Sequence, residues 1–134
     1  VKKISQKFYP KNEWFSYVAW SNLCKIAPYQ GGNPDDMLYN EQLKTNRKIL
    51  KKEIEILSPK FVIMFTSNWE KDFMFFLNDN KHTKSDEKVY WDGYETKLVK
   101  IKEIIYIISK HPQGKDETEH VKTIINLIEK NIKL

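Results

Sequence analysis

A chain of 134 residues with a 40% hydrophobic and 13% aromatic share is long enough to bury a core as one domain and is not a disordered polar tract. Its single cysteine, Cys24, excludes an internal disulfide and any multi-cysteine metal site. The net charge of +5 leans toward a polyanionic partner, although lysines also serve solubility.

In chain order, Asn12 to Tyr17 reads as a short aromatic helix with Trp14, Phe15 and Val18 on one side. Val18 to Leu23 is then a candidate strand running into Cys24-Lys25. Residues Ala27 to Asp36 hold two prolines and two glycines and must be loop. A helix follows from about Asp36 to Leu57, with Leu43, Leu50, Ile54 and Leu57 as its apolar stripe. Adjacent aspartates at Asp35-Asp36 suit its N-terminal cap better than an acid pair. Pro59 closes it, and Phe61 to Phe65 is a short apolar strand.

Ser67 with Glu70 forms a capping box for a helix striped by Trp69, Phe73 and Leu77. A polar, mobile stretch is expected from Asn78 to Lys88. Asp92-Gly93 between Val89-Tyr90-Trp91 and Tyr94 to Leu98 is a strong two-residue hairpin signal. The run Ile104 to Ile108 reads as a strand buried on both faces. Asp116 with Glu119 opens a final helix striped by Val121, Ile124, Ile125, Ile128 and Ile132. Strands alternating with amphipathic helices predict an α/β fold, a three-layer α/β/α sandwich on a short, mostly parallel sheet. In it Val18 to Leu23, Phe61 to Phe65 and Ile104 to Ile108 are expected to be neighbouring parallel strands. Three such strands are few, so a further strand before Val1 is expected.

Ligands of open α/β sheets gather at the carboxyl ends of the strands. His111-Pro112 follows the run Ile104 to Ile108, where a histidine can supply a charge or a proton near neutral pH. Asn22 and Lys25 stand at the end of the other candidate strand. Lys110 and Lys115 flank His111 and suit backbone phosphates or a solvated loop equally. His82 and His120 have no metal-ligand spacing and are expected to be exposed. The aromatics Tyr9, Trp14, Phe15 and Trp20 near basic residues could stack on bases, though core packing is the commoner use of such spacing. No apolar run reaches the length of a membrane span and no signal peptide is visible, so a cytoplasmic location is expected.

The stretch Trp20-Ser21-Asn22-Leu23-Cys24-Lys25-Ile26-Ala27-Pro28, followed by Gly32-Asn33-Pro34, resembles the Asn-x-x-Lys-x-x-Pro segment of the uracil-DNA glycosylase superfamily. Leu50-x-x-Glu53-Ile54-x-x-Leu57-x-Pro59-Lys60-x-Val62-Ile63 is similar to that family's helix and following strand. The turn His111-Pro112 matches its final motif. The order agrees from about Trp20 to Pro112. The resemblance implies a domain that binds an extruded base at the carboxyl ends of its strands. Asn22 would then hydrogen-bond the base edge, and His111 would stabilise negative charge on the departing uracil. Lys25, Lys110 and Lys115 would lie near DNA phosphates.

Departures from the family pattern are specific. Lys2 to Asn12 contains no glycine and offers no counterpart to the family's Gly/Pro-rich first loop, which shapes the pocket and positions water. Gln113 stands where a serine commonly follows His-Pro, and Gly114-Lys115-Asp116 lacks an apolar wedge. Thr66-Ser67-Asn68 replaces a glycine. Asn46 and Ile26 occupy positions where iron-sulfur branches carry cysteines, so no cluster and no other cofactor or metal is expected. Two functions follow: a base-excising N-glycosylase, a hydrolase of DNA repair, or a non-catalytic module on the same scaffold that binds nucleic acid or protein.

Overall fold

The computed structural model describes residues 1–66, 72 and 87–132. The chain divides into two compact units, Val1–Ala19 with Lys60–Leu134, and Trp20–Pro59.

The first unit is built on a four-stranded sheet. Its strands are β1 (Phe61–Thr66), β2 (Glu87–Trp91), β3 (Tyr94–Ile101) and β4 (Ile104–Lys110), in the order β1-β4-β3-β2. β1 and β4 run parallel, in register from Phe61 against Ile105 to Thr66 against Lys110. β3 is antiparallel to both β4 and β2. The sheet is therefore mixed, with one parallel pair, and the expectation of a mostly parallel sheet is corrected. Local turn chemistry decides the β2–β3 pairing. Asp92 and Gly93 both take positive φ, 45° and 76°, the requirement of a type I′ hairpin whose twist matches the strands it joins. A second two-residue turn, Lys102-Glu103, joins β3 to β4, with Lys102 at φ 54° and Ile101 opposite Ile104. These hairpins place β3 along one flank of β4 and β1 along the other.

Val18 to Leu23 is not a strand, which corrects a second expectation. Trp20 is exposed and Leu23 alone of these residues is buried, so the run lacks the two-sided apolar character of a sheet interior. The aromatic helix is a single 3₁₀ turn, Trp14–Tyr17. Phe15 and Trp20 are exposed, so neither serves as core.

β4 alternates cleanly. Ile105 and Ile107 face one layer, where Leu98, Ile4 of α1 (Lys2–Phe8), and Ile124, Leu127 and Ile128 of α3 (Glu117–Asn131) close a core cluster. Half-buried Phe61, Ile63 and Phe65 extend it along β1. Each such side chain contributes roughly 1.5–3 kcal/mol on burial. Truncating fully buried Ile107 to alanine would cost about 2–5 kcal/mol. The residues of opposite parity, Met64, Val99, Ile101, Tyr106 and Ile108, are buried as well. α3 begins where expected, because the Asp116 carboxylate accepts hydrogen bonds from the Thr118 and Glu119 amides at 2.7 and 3.0 Å.

The second unit holds α2 (Asp36–Leu57) and the loop before it. The Asp35 carboxylate accepts from the Leu38 amide at 2.8 Å as N-cap. Ser58 ends the helix in the left-handed region, with φ 42° and ψ 53°, and Pro59 prevents its continuation. Its buried face differs from the expected stripe. Leu50 is buried together with Gln42 and Asn46, while Leu57 is exposed. The helix expected from Ser67 with Glu70, Trp69, Phe73 and Leu77, the polar stretch 78–86 and His82 all lie outside the described residues. Among the described residues no helix is long and apolar enough to cross a membrane.

Candidate functional site

β1 and β4 end together, Thr66 beside Lys110, and the chain turns at once through residues 111–116 into α3. The turn is closed by the Lys115 amide, which donates to the Pro112 carbonyl at 3.2 Å. Gly114 takes φ 72° there, a conformation that side-chain-bearing residues rarely adopt. His111 is exposed on this turn. Its Nδ1 accepts a hydrogen bond from the Gln113 amide at 3.3 Å. With Nδ1 taken up by the Gln113 amide, Nε2 is the ring nitrogen left to meet a ligand at the carboxyl end of β4. The Lys115 ammonium donates to the Gln113 carbonyl at 3.1 Å and lies 5.1 Å from the centroid of the Tyr94 ring, a cation–π distance. Lys110 is half-buried at the strand end. Three expected site residues thus share one turn.

The other two, Asn22 and Lys25, belong to the second unit. Asn22 is exposed in a segment without regular structure. Lys25 is engaged by its own unit. Its ammonium donates to both carboxylate oxygens of Glu53 at 2.9 Å and to the Ser21 hydroxyl. Ser21 in turn donates to Glu53 at 2.6 Å. Partial burial alone would raise the Glu53 pKa, but the hydrogen bonds from Ser21 and Lys25 and the ammonium charge together hold it below the ordinary 4.5. Gln42 fastens the same loop. Its amide oxygen accepts from the Lys25 and Ile26 amides, each at 3.0 Å, and its Nε2 donates to the Ile26 carbonyl at 3.1 Å. Asn46 donates to the same Gln42 oxygen at 2.6 Å. A buried side-chain amide here does what a neighbouring strand would do, satisfying backbone groups in both directions.

Sequence reading missed a buried polar chain beneath the His111 turn. The Trp91 indole N–H donates to Thr96 Oγ1 at 2.8 Å, Thr96 Oγ1 lies 2.7 Å from Ser109 Oγ, and Ser109 Oγ lies 2.8 Å from His120 Nε2. The expectation of an exposed His120 is corrected: the residue is 2% exposed. Burial pushes the His120 pKa below its ordinary value, and the charge of Lys115 adds to the effect. A neutral ring accepting at Nε2 fits one consistent direction of donation, Thr96 to Ser109 to His120. Ser109 and His120 have the spacing of a nucleophile and its base, but both are sealed from solvent, so substrate cannot reach them. Their work is positional. Ser109 immediately precedes Lys110 at the end of β4, and His120 lies in the first turns of α3, so the chain braces both sides of the turn that carries His111. A signal for it was present. Thr96, Ser109 and His120 fall in phase with the core residues Leu98, Ile107 and Ile124.

Among the described residues no group of three His, Cys, Asp or Glu side chains could hold a metal ion. No family model, no curated protein and no solved structure matches this chain, so its function is read from the turn after β4 and the residues around it.

Proposed function

We propose that the chain is a uracil-DNA glycosylase-like protein that engages an extruded base of DNA at the turn after β4. The observation that carries this reading is the place of His111 at the carboxyl end of β4, its Nδ1 engaged by the Gln113 amide so that Nε2 is left to donate to a ligand. Cleavage of a glycosidic bond builds negative charge on the leaving base, and a preset donor is worth most to such charge. Asn22, in the second unit, carries an amide with the paired donor and acceptor that a pyrimidine edge takes. Lys110 and Lys115 would meet phosphate oxygens, while Lys25, held by Glu53 and Ser21, keeps the Asn22 loop in shape. The reading includes the three-layer α/β/α arrangement of that family. Burial of Met64, Val99, Ile101, Tyr106 and Ile108 on the sheet face opposite α3 supports it.

Uracil release from a uracil-containing oligonucleotide tests the reading. Slow release is expected, because Lys2 to Asn12 supplies no loop to orient water, and lost positioning alone costs orders of magnitude. His111→Ala should raise the remaining barrier by roughly 2–4 kcal/mol, the usual effect of deleting one charge-stabilising donor. Release unchanged by that substitution would remove His111 from the chemistry.

A non-catalytic binding module on the same scaffold is the second reading. One observation favours it: Val18 to Leu23 is not a strand, so Asn22 is not fixed at the end of one. DNA binding that His111→Ala weakens, with no uracil release, would select it.

A further inference from the structure

We propose that the N-terminal segment is a docking surface for single-stranded nucleic acid, with bases stacking on Phe15 and Tyr17 and phosphates meeting Lys2 and Lys11. The surface is made of rings that the fold leaves in water. Phe15 is 61% and Tyr17 is 53% exposed. Both are held in place. The Tyr17 ring lies parallel to that of Tyr9, with centroids 4.2 Å apart and planes within 7°. Phe15 meets Trp14 edge-on at 6.2 Å. Rings fixed in advance lose little freedom when a ligand stacks on them.

Charge selects the occupant. Residues 1–20 contain four lysines and one acid, Glu13, and so hold three of the chain's five net positive charges. Lys3 and Lys7 pair with Glu117 and Glu129 of α3 at 3.0 and 3.1 Å. Such exposed pairs are weak and yield readily to a phosphate. Lys2 and Lys11 are exposed and have no ion-pair partner among the described residues. Exposed rings and unpaired ammonium groups within one short segment match the two features of a single strand: bases with open π faces and a charged backbone. A duplex offers the same phosphates but keeps its π faces stacked. The inference goes beyond the β4 turn and uses none of its residues.

Fluorescence anisotropy at low salt, with a short labelled oligothymidylate and a duplex of equal length, tests the proposal. Tighter binding of the single strand is expected. Phe15→Ala and Tyr17→Ala should each weaken it roughly five- to hundredfold, equivalent to losing one stacked base. Phe15→Trp should retain binding. Both aromatic positions are exposed, and circular dichroism verifies that the variants fold. Absence of binding, equal affinity for the duplex, or indifference to Phe15→Ala overturns the proposal. Wild-type binding by Phe15→Leu also overturns it, since that outcome marks an apolar contact rather than a π face. Loss of binding in His111→Ala with Phe15→Ala unaffected would place the strand on the β4 turn alone, refuting this surface while leaving the other reading intact.

Discussion

The indole of Trp91 lies flat against the imidazole of His120, with ring centroids 4.1 Å apart and planes within 8°. Phe65 closes a further side of the imidazole edge-on at 5.7 Å, and Ser109 meets its Nε2. The ring is therefore enclosed by apolar surface with a hydroxyl at one nitrogen. A proton added to Nε2 would remove the acceptor for Ser109 and charge a ring that water cannot reach.

Stability should consequently fall as pH drops below about 6.5, the ordinary histidine value. Burial lowers the folded-state pKa of His120, so between that value and 6.5 the unfolded chain binds a proton that the folded chain does not. The stabilisation is full above 6.5, is lost progressively through this window, and stops changing below the folded pKa. Urea midpoints measured from pH 8 downward should show the slope, and His120→Gln should flatten it. A wild-type midpoint that stays constant from pH 7 through pH 5 would contradict the enclosure.

Thr96→Val should destabilise the first unit by about 1–3 kcal/mol, the cost of stranding a buried donor. Valine keeps the shape but removes the acceptor of the Trp91 N–H and the link to Ser109. Thr96→Ser retains the oxygen and should lose less. Chemical denaturation of the three proteins measures the difference, and a valine variant as stable as wild type would show the chain to be energetically idle.

For the second unit, Gln42→Leu should release the loop at residues 25 and 26. Three hydrogen bonds to backbone disappear, at roughly 0.5–1.5 kcal/mol each. Hydrogen exchange at the Lys25 and Ile26 amides is the direct probe. Their protection should drop well before global unfolding, and unchanged protection would mean that other groups hold the loop.

Binding of DNA at the β4 turn should weaken steeply as salt rises, because phosphate contacts release counterions. Replacing Lys110 or Lys115 with alanine should each reduce the salt slope by about one. Affinity measured across a salt series decides this, and a slope unaltered in both variants would move the phosphates elsewhere.

Much of this architecture was legible because local chemistry dictated it. Asp92-Gly93 demanded a hairpin, Pro59 ended α2, and Asp35 and Asp116 capped helices as short side-chain acceptors do. His111 was legible as an exposed residue after a buried strand, but the hydrogen bond its Nδ1 accepts from the Gln113 amide was not. Lys102-Glu103 gave no warning, because neither residue is a usual carrier of positive φ and tertiary pairing imposes the turn. Val18 to Leu23 was misjudged on apolar content, although Ser21 finds its partners in side chains, Glu53 and Lys25. His120 was misjudged on residue type, when its phase with Ile124 placed it on the buried face.

The two tight turns of the β2–β3–β4 meander also set an order of assembly. Each antiparallel pairing joins neighbours in sequence, so it closes with little loss of chain entropy and forms on the microsecond scale of hairpins. β1 meets β4 only across the whole meander and the residues before it, a far larger loop to close. The meander is therefore expected to form first as a template, with the parallel strand docking onto it late. The carboxyl edge shared by Thr66 and Lys110 would come into being only in that last step, so a chain arrested before it would have a hydrophobic sheet with the end of β4 unpartnered on that side.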